Sequence, residues 1–369
     1  MRRIGIYRTA FPLPSEAFIV EQAAAMQRYS PVVLTRTRQG TAPVETVALS
    51  DRPLGKLRGK AFALTRSARV FGELPALPLI HAHFGPDGVY AQALAHELGI
   101  PFLVTFHGFD ATMKRGALWR TGKLYIAQFL LRERELQRSA ASFIAISKFI
   151  RDKLVERGYP ADKIIQHYIG VDTVKFQPGP RAASPYVLCV ARAVEKKGVD
   201  TVIRAFARIA PKYPAVRLVH VGEGPLLGRV RALVHELGLA DRVELRGVLE
   251  HAAVRELMRA ASAFVLASCT AADGDAEGLG IVFNEASACG VPVVATAHGG
   301  IPEAVLHGET GLLSPERDAD AMAQHLDAVL GDTALAARLG ARGREYVCDR
   351  FDLRKQTAKL EEIYDRYTT

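Results

Sequence analysis

The 369-residue sequence has few cysteines and no long apolar run, and each absence excludes a class of protein. Its four cysteines include no Cys-x-x-Cys pair, so metal-ligand spacing is absent. No stretch approaches the roughly 18 consecutive apolar residues of a membrane-spanning helix. The apolar run from Ile4 to Tyr7 is too short for the core of a signal peptide and predicts a first strand. We therefore expect a cytoplasmic protein with buried, reduced thiols.

Acidic residues are absent between Arg52 and Gly72, where six basic side chains alternate with apolar ones. The first 170 residues hold 24 Lys+Arg and 13 Asp+Glu, a balance of +11, so the remainder of the +9 chain has a balance of −2. The stripe is either a solvated helix face or an interfacial segment attracted to anionic lipid. Because no recognition module for nucleic acid accompanies it, nucleic acid is not expected as a partner.

Short apolar runs alternate with longer amphipathic stretches in both halves of the chain. Strands are predicted at residues 3–7, 31–36, 79–84, 102–107, 142–147, 186–191, 216–221, 242–247, 263–268 and 291–296. Helices are predicted at residues 15–28, 87–98, 198–209, 225–237, 251–260, 279–288, 318–330 and, roughly, 334–367. This alternation predicts an α/β protein with two doubly wound, Rossmann-like parallel sheets and a ligand cleft between them. The domains are expected at 1–175 and 181–349, separated by a Pro/Gly-rich linker, with 350–369 as a helix that packs back toward the first domain.

The densest cluster of functional residue types surrounds Gly278 and follows a predicted strand. Gly278 and Gly280 let the backbone approach a ligand, and the helix expected to open near Leu279 offers free N–H groups to a phosphate. Glu277 precedes this helix and Glu285 lies about two turns into it. Both carboxylates are therefore expected to face one cleft, where they suit the paired hydroxyls of a ribose or hexose.

A second cluster, Arg192 with Lys197 and Gly198, directly follows another predicted strand. Two cations in a strand-to-helix loop suit a pyrophosphate, although a solvated turn has the same spacing.

The first half has weaker signals at strand ends. His107 ends one predicted strand, and a lone histidine in that position is more often structural. His81 and His83 are interpreted as either core or acceptor-side residues. Ser15 is predicted first as a helix N-cap and second as a contact to acceptor or phosphate.

The spacing Glu277-x7-Glu285, followed by Gly290, Pro292 and the block His-Gly-Gly-Ile-Pro-Glu at 298–303, resembles family 4 retaining glycosyltransferases of GT-B fold. Residues 11–19 and 271–277 resemble the subgroup that acts on bacterial exopolysaccharides such as colanic acid. In order, these motifs span nearly the whole chain.

The resemblance implies a role for each candidate site residue. The implied catalytic residues, which face the donor sugar, are His107 and Glu277. The implied donor-binding residues, which hold phosphates, ribose and base, are Arg192, Lys197, Gly278, Leu279, Gly280, Ile281, Glu285, Gly247 and Val248. The expected acceptor-side residues are Ser15, Glu16, His83 and Asp110.

The expected activity is transfer of a hexose, with retention and without a metal or other cofactor, from a UDP- or GDP-linked donor. The expected acceptor is a glycan or lipid-linked intermediate of cell-surface polysaccharide synthesis, met at the inner face of the cytoplasmic membrane. Asp273-Gly-Asp275 has the form of a metal motif of the other large glycosyltransferase fold, but it directly precedes the Glu-x7-Glu segment. Two alternatives stay open: a nucleotide-sugar epimerase of the same fold and an inactive sugar-nucleotide-binding subunit.

Overall fold

The computed structural model describes residues 1–368, which form two compact units. Unit 1 comprises Met1–Gly170 together with the segment that starts at Leu353, and unit 2 comprises Val171–Asp352. Unit 2 is thus inserted between two pieces of unit 1. Among the helices of the described residues, none is both long and apolar enough to cross a bilayer.

Unit 1 contains a seven-stranded sheet in the order β3-β2-β1-β4-β5-β6-β7, and all of its paired strands are parallel. The strands are β1 Arg2–Phe11, β2 Tyr29–Arg38, β3 Glu45–Ala48, β4 Ile80–His83, β5 Phe102–Phe106, β6 Ser142–Ala145 and β7 Ile164–Gln166. The residues of β4, β5 and β6 are all buried, as expected for parallel strands covered on both faces.

Helices cover this sheet, and the last described helix of the chain belongs to unit 1. The helices are α1 Ala17–Ala24, α2 Gly55–Thr65, α3 Gly85–Leu98, α4 Phe109–Thr112, α5 Arg115–Arg120, α6 Leu124–Ser139, α7 Lys148–Glu156 and α15 Leu353–Asp365. On α15, buried Glu361 accepts hydrogen bonds from the backbone N–H groups of residues 27, 28 and 29. Tyr364 of the same helix packs edge-on against Tyr29. These contacts fasten α15 to the chain entering β2.

Unit 2 contains a six-stranded parallel sheet in the order β10-β9-β8-β11-β12-β13. The strands are β8 Tyr186–Val190, β9 Arg217–Val221, β10 Val243–Leu245, β11 Ala263–Leu266, β12 Val293–Thr296 and β13 Gly311–Ser314. The helices are α8 Val199–Ile209, α9 Leu227–Glu236, α10 His251–Ala260, α11 Ile281–Ala288, α12 Ile301–Ala304, α13 Ala319–Gly331 and α14 Thr333–Arg350.

The predicted fold class of two parallel-sheet α/β units is confirmed, with corrections to single elements. Strands β3, β7 and β13 were not predicted, and each lies at the edge of its sheet. The helix predicted at 15–28 is shorter in the structure, where α1 spans only Ala17–Ala24. The C-terminal stretch forms two helices, α14 and α15, instead of one.

Candidate functional site

The strand order of unit 2 reverses direction at β8, which pairs with both β9 and β11. Ligands of open parallel sheets bind beyond the carboxyl ends of the strands at such a point. The loops that follow β8, β11 and β12 carry Lys197, Glu277 and His298, respectively. The geometry of these loops therefore decides what the site can bind.

Glycines bring these loops into backbone contact. Gly198, at φ +55°, lies so close to β11 that a Cβ atom would stand 2.0 Å from the carbonyl oxygen of Ala267. Gly222, after β9, lies equally close to the loop after β8, since its Cβ would stand 2.1 Å from the carbonyl oxygen of Ala191. Only glycine fits such approaches. They place the cationic turn that ends at Lys197 against the acidic loop after β11.

Two ion pairs join the turn to the loop. The Lys197 ammonium donates to the Glu277 carboxylate, and Lys196 pairs with Asp275 at 3.0 Å. Burial alone raises the pKa of Glu277, but the charges of Lys197 and Lys196 outweigh it and lower the pKa to about 2. Glu277 is therefore a carboxylate throughout the physiological pH range.

The main chain of Glu277 is held on both sides by the loop after β12. Its N–H donates to Nε2 of His298 at 3.1 Å, and its carbonyl oxygen accepts the N–H of Gly300 at 3.0 Å. A Cβ atom on Gly300 would stand 2.0 Å from the carbonyl oxygen of Gly278, so this position needs glycine. The His-Gly-Gly segment thus acts as a backbone clamp that sets the direction of the Glu277 carboxylate.

The tautomer of buried His298 follows from its two neighbours. Because Nε2 accepts the Glu277 N–H, the ring proton must be on Nδ1, which lies 2.6 Å from an oxygen of Glu316. The second Glu316 oxygen accepts the backbone N–H of Thr270 at 2.8 Å. Burial raises the pKa of Glu316, but the hydrogen bonds from Thr270 and His298 outweigh it and lower the pKa. Glu316 therefore orients the imidazole that holds Glu277.

Helix α11 begins at Ile281, with Gly280 in the left-handed region at φ +78° before it. The prediction of a start near Leu279 is thus corrected by two residues. The two-turn argument for a shared face therefore does not reach Glu277, which lies in the loop and is aimed by the clamp instead. Glu285 lies within α11 and is partly exposed.

The remaining predicted donor residues lie in loops at the same edge of the sheet. Arg192 lies two residues beyond the end of β8, and its side chain is exposed. Gly247, at φ +64°, follows β10 and accepts the N–H of Gly222 at 2.7 Å through its carbonyl oxygen. Val248 is 68% exposed, which is unusual for a valine. Leu279 is buried.

In unit 1, three histidines stack at the ends of β4 and β5. His83 and His107 share a hydrogen bond of 3.0 Å between Nδ1 and Nε2, and the His81 ring lies 4.5 Å from that of His83. His81 is bonded to Tyr364 and Thr105 and is a core residue. Burial is the main cause that lowers the pKa of His83 and of His107 well below the usual value, and neighbouring basic side chains add to it. Both imidazoles are therefore neutral.

His107 is framed by aromatic rings and has one unused polar atom. The rings of Phe84 and Phe18 lie 4.5 Å and 5.1 Å from the imidazole, respectively. Its Nδ1 is buried and has no hydrogen-bond partner among the described residues. A buried orphan acceptor or donor of this kind is costly unless a ligand satisfies it.

Glu16 is engaged by a buried arginine that the sequence prediction missed. Both Glu16 oxygens accept from Arg8, and Arg8 also pairs with Asp87 and lies 4.5 Å from the Phe84 ring centre. Burial raises the pKa of Glu16, while Arg8 opposes that rise. The available signal for Arg8 was its place directly after the apolar run Ile4–Tyr7, where a strand end can present a charged side chain.

Asp110 and Ser15, the other two predicted acceptor-side residues, lie in different surroundings. The buried Asp110 carboxylate accepts backbone N–H groups of Gly85, His107 and Gly108, so it fixes the loop that presents His107. Ser15 is exposed inside a short 3-10 turn, and the residue that caps α1 is Glu16, without a side-chain cap bond. The N-cap prediction for Ser15 is therefore wrong.

This geometry is accompanied by clear sequence similarity to known proteins. The family described as "Glycosyltransferase Family 4" matches residues 17–175, and the family described as "Glycosyl transferases group 1" matches residues 171–346. The chain therefore belongs to the group 1, family 4 glycosyltransferases, as the sequence motifs predicted.

The similar proteins include enzymes of polysaccharide and glycolipid synthesis. WcaL of Escherichia coli (strain K12), provisionally assigned as a colanic acid biosynthesis glycosyltransferase, is 31% identical over 94% of this chain and 95% of its own length. The amylovoran biosynthesis glycosyltransferase AmsK of Erwinia amylovora is 32% identical over 79% of this chain and 70% of its own. A GDP-mannose-dependent phosphatidylinositol monomannoside mannosyltransferase of Mycolicibacterium smegmatis is 36% identical over 59% of this chain and 60% of its own.

Solved structures support the fold. HepE of Anabaena, crystallised with UDP and glucose, has a TM-score of 0.77 at 22% identity and covers 99% of this chain and 100% of its own. Sucrose-phosphate synthase of Thermosynechococcus elongatus has a TM-score of 0.75 at 23% identity and covers 99% of both chains. The predicted GT-B fold is thereby confirmed.

Proposed function

We propose that this glycosyltransferase moves a hexose from a nucleotide diphosphate sugar to a glycan or lipid-linked acceptor in cell-surface polysaccharide synthesis. The observation that carries the proposal is the Lys197–Glu277 ion pair at the point where the strand order of unit 2 reverses. A lysine and a glutamate are the partners that a diphosphate and a sugar hydroxyl, respectively, require. We expect the donor to exchange into this pair, with the diphosphate taking Lys197 and the hexose hydroxyls taking Glu277.

We propose further that transfer needs no metal. Arg192, Lys196 and Lys197 supply three cations within one loop, enough to stabilise a leaving nucleoside diphosphate. Asp275, which a metal-binding interpretation would need, is bonded to Lys196. Purified protein in excess chelator should therefore keep its activity, whereas loss that is restored by a divalent ion would contradict this part of the proposal.

Retention of the anomeric configuration is proposed with front-face attack, in which the departing phosphate takes the proton of the acceptor hydroxyl. A neutral His107 fits this scheme because it binds a sugar hydroxyl through its unused Nδ1 without adding charge. Nuclear magnetic resonance of the product tests it. An inverted anomer would contradict the scheme while leaving the transferase function intact.

The donor is proposed to be a UDP- or GDP-linked sugar, and the relatives named for GDP-mannose and the HepE complex with UDP support these two classes. The acceptor is proposed to be lipid-linked and met at the inner face of the cytoplasmic membrane, because the excess positive charge of the chain lies in its first 170 residues.

The test is a thermal-shift and turnover panel with UDP-glucose, GDP-mannose and related donors, using membrane extract as the acceptor source. Lys197→Met and Glu277→Gln should each lower kcat/KM by about 100-fold or more. Lys212→Met, which removes an exposed ion pair with Asp327 elsewhere in unit 2, serves as the control and should leave turnover unchanged. No stabilisation by any donor and no transfer or donor hydrolysis would refute the function. Isomerisation of a donor without acceptor would favour an epimerase.

A further inference from the structure

The basic stripe of unit 1 lies on a helix that exposes leucines. On α2, Leu57 and Leu64 are two turns apart and are 62% and 69% exposed, and Leu54 at the helix start is 74% exposed. On the opposite side, the fully buried Phe62 packs edge-on against Phe71. Helix α2 is therefore packed against the core by Phe62, and the exposed leucines take no part in that packing.

A second segment, which the sequence analysis did not single out, repeats this composition. Residues 111–132 contain five basic side chains and no acid. On α6, Leu124 and Leu131 are two turns apart and exposed, and Trp119, the single tryptophan of the chain, is 56% exposed at the end of α5. Of the eleven large apolar side chains exposed in the described residues, six lie in these two segments. Their clustering makes them one surface feature instead of scattered exceptions.

A hydrogen bond joins the two segments. The Gln128 amide donates to the carbonyl oxygen of Ala63 at 2.9 Å. Gln128 lies between Leu124 and Leu131 on one face of α6, because residues three and four apart are neighbours on a helix. Ala63 directly precedes Leu64 on α2. The two leucine stripes therefore lie side by side, and we call them, with Trp119, the leucine face.

Part of the positive charge around the leucine face has no acidic partner among the described residues. Within the described residues, several of its basic side chains form no ion pair: Lys56, Lys60, Arg66, Arg69, Arg120 and Lys123. Burial and the neighbouring Arg132 lower the pKa of Arg66, so like charges are held near one another. Such a surface favours a polyanion, and exposed leucines with a tryptophan favour an interface with hydrocarbon beneath it.

We propose that the leucine face docks on an anionic lipid bilayer, with Trp119 and the leucines entering the headgroup region and the lysines and arginines binding lipid phosphates. This docking is independent of sugar transfer, because it needs neither Lys197 nor Glu277. It places unit 1 at the surface where a lipid-linked substrate resides.

The experiment uses the full chain and vesicles of phosphatidylcholine, with or without phosphatidylglycerol. Trp119 reports directly, and its emission should shift to shorter wavelength only with anionic vesicles. Co-sedimentation should weaken with salt and about fivefold for each lysine removed in Lys56→Glu/Lys60→Glu. The matched control Arg229→Glu/Arg231→Glu makes the same charge change on α9 of unit 2 and should bind as the parent does.

Leu57→Ser/Leu64→Ser tests the apolar part of the leucine face and should weaken binding at least tenfold. Its control, Leu98→Ser/Val155→Ser, removes exposed apolar side chains from α3 and α7. Donor-induced thermal stabilisation shows that each variant is folded and separates this proposal from sugar transfer. Binding without a Trp119 shift, or equal binding by all four variants, would overturn the proposal. So would a dimer in lipid-free solution that Leu57→Ser/Leu64→Ser dissociates, since the face would then bind a second copy.

Discussion

Replacing Lys197 by methionine tests the electrostatics of the candidate site. The substitution keeps the length of the side chain but removes the charge that faces the largely buried Glu277. The pKa of Glu277 lies at about 2 against an ordinary value of 4.5, and each pKa unit corresponds to about 1.4 kcal/mol. The charged form is therefore favoured by about 3 kcal/mol. Because Lys196 remains nearby, we expect the free energy of unfolding of unit 2 to fall by about 2–3 kcal/mol at pH 7.

The sign of the pH dependence follows from the same values. A lowered pKa in the folded state stabilises the protein above the unfolded value, so in the parent this contribution is complete above about pH 4.5 and is lost as the pH falls toward 2. In Lys197→Met, burial raises the pKa of Glu277, so its charge opposes folding at neutral pH. The difference between parent and variant should therefore begin to shrink above pH 4.5, where Glu277 of the variant takes up a proton, and should continue to shrink as the pH falls toward 2.

The two units carry separate probes for this assay. All four cysteines lie in unit 2, three of them buried, so thiol labelling during denaturant unfolding reports on unit 2. Trp119 lies in unit 1, and its fluorescence should report little change. Lys197→Met/Glu277→Gln should recover most of the stability, because no buried charge is left without a partner. A loss that is independent of pH, or no recovery in the double variant, would refute the reasoning.

Substitutions at three further positions test the clamp and the loop that presents His107. The glutamine of His298→Gln can still accept the Glu277 N–H and donate to Glu316, so this variant should keep kcat/KM within about threefold. His298→Phe can do neither and should lose about tenfold in kcat/KM, mainly because the KM for the donor rises. Equal losses in the two variants would contradict the tautomer assignment. Gly300→Ala should cost unit 2 about 3 kcal/mol in thiol-labelling experiments, while Gly228→Ala, at an open helix position, should be neutral or slightly stabilising. Asp110→Asn replaces one of the two carboxylate oxygens that accept three backbone N–H groups, and it should lower the unfolding free energy of unit 1 by about 2 kcal/mol. An unfolding transition of unit 1 that is unchanged in Trp119 fluorescence would count against the role of Asp110 in fixing this loop.

Apolar periodicity predicted the central strands of both sheets because parallel strands buried on two faces are continuous runs of apolar residues. It missed the edge strands β3, β7 and β13. Most residues of β3 and β7 are partly or fully exposed, so neither strand forms a continuous buried run. The local spacing of the glutamates singled out the loop before α11 but misplaced the cause of its geometry. Glu277 is aimed by the loop after β12, a contact that no helical periodicity contains.

The interactions that sequence reasoning missed join residues far apart in the chain. Arg8 meets Asp87 across 79 positions, and Lys196 meets Asp275 across the same separation. His298 and Glu316 are only 18 apart, but each lies in a loop, and neither propensity nor spacing indicates that loops meet. Such pairs become visible only when the strand order is known, because it decides which strand ends are neighbours.

The route of the chain has a consequence for synthesis on the ribosome. Residues 171–352 are a continuous stretch and hold every strand and helix of their own unit, so that unit needs no later segment of the chain to become native. The first 170 residues must wait, because the backbone amides at 27, 28 and 29 find their acceptor only when Glu361 appears. The half made first is therefore completed only after α15 has left the ribosome, and until then the N-terminal unit stays open to chaperones.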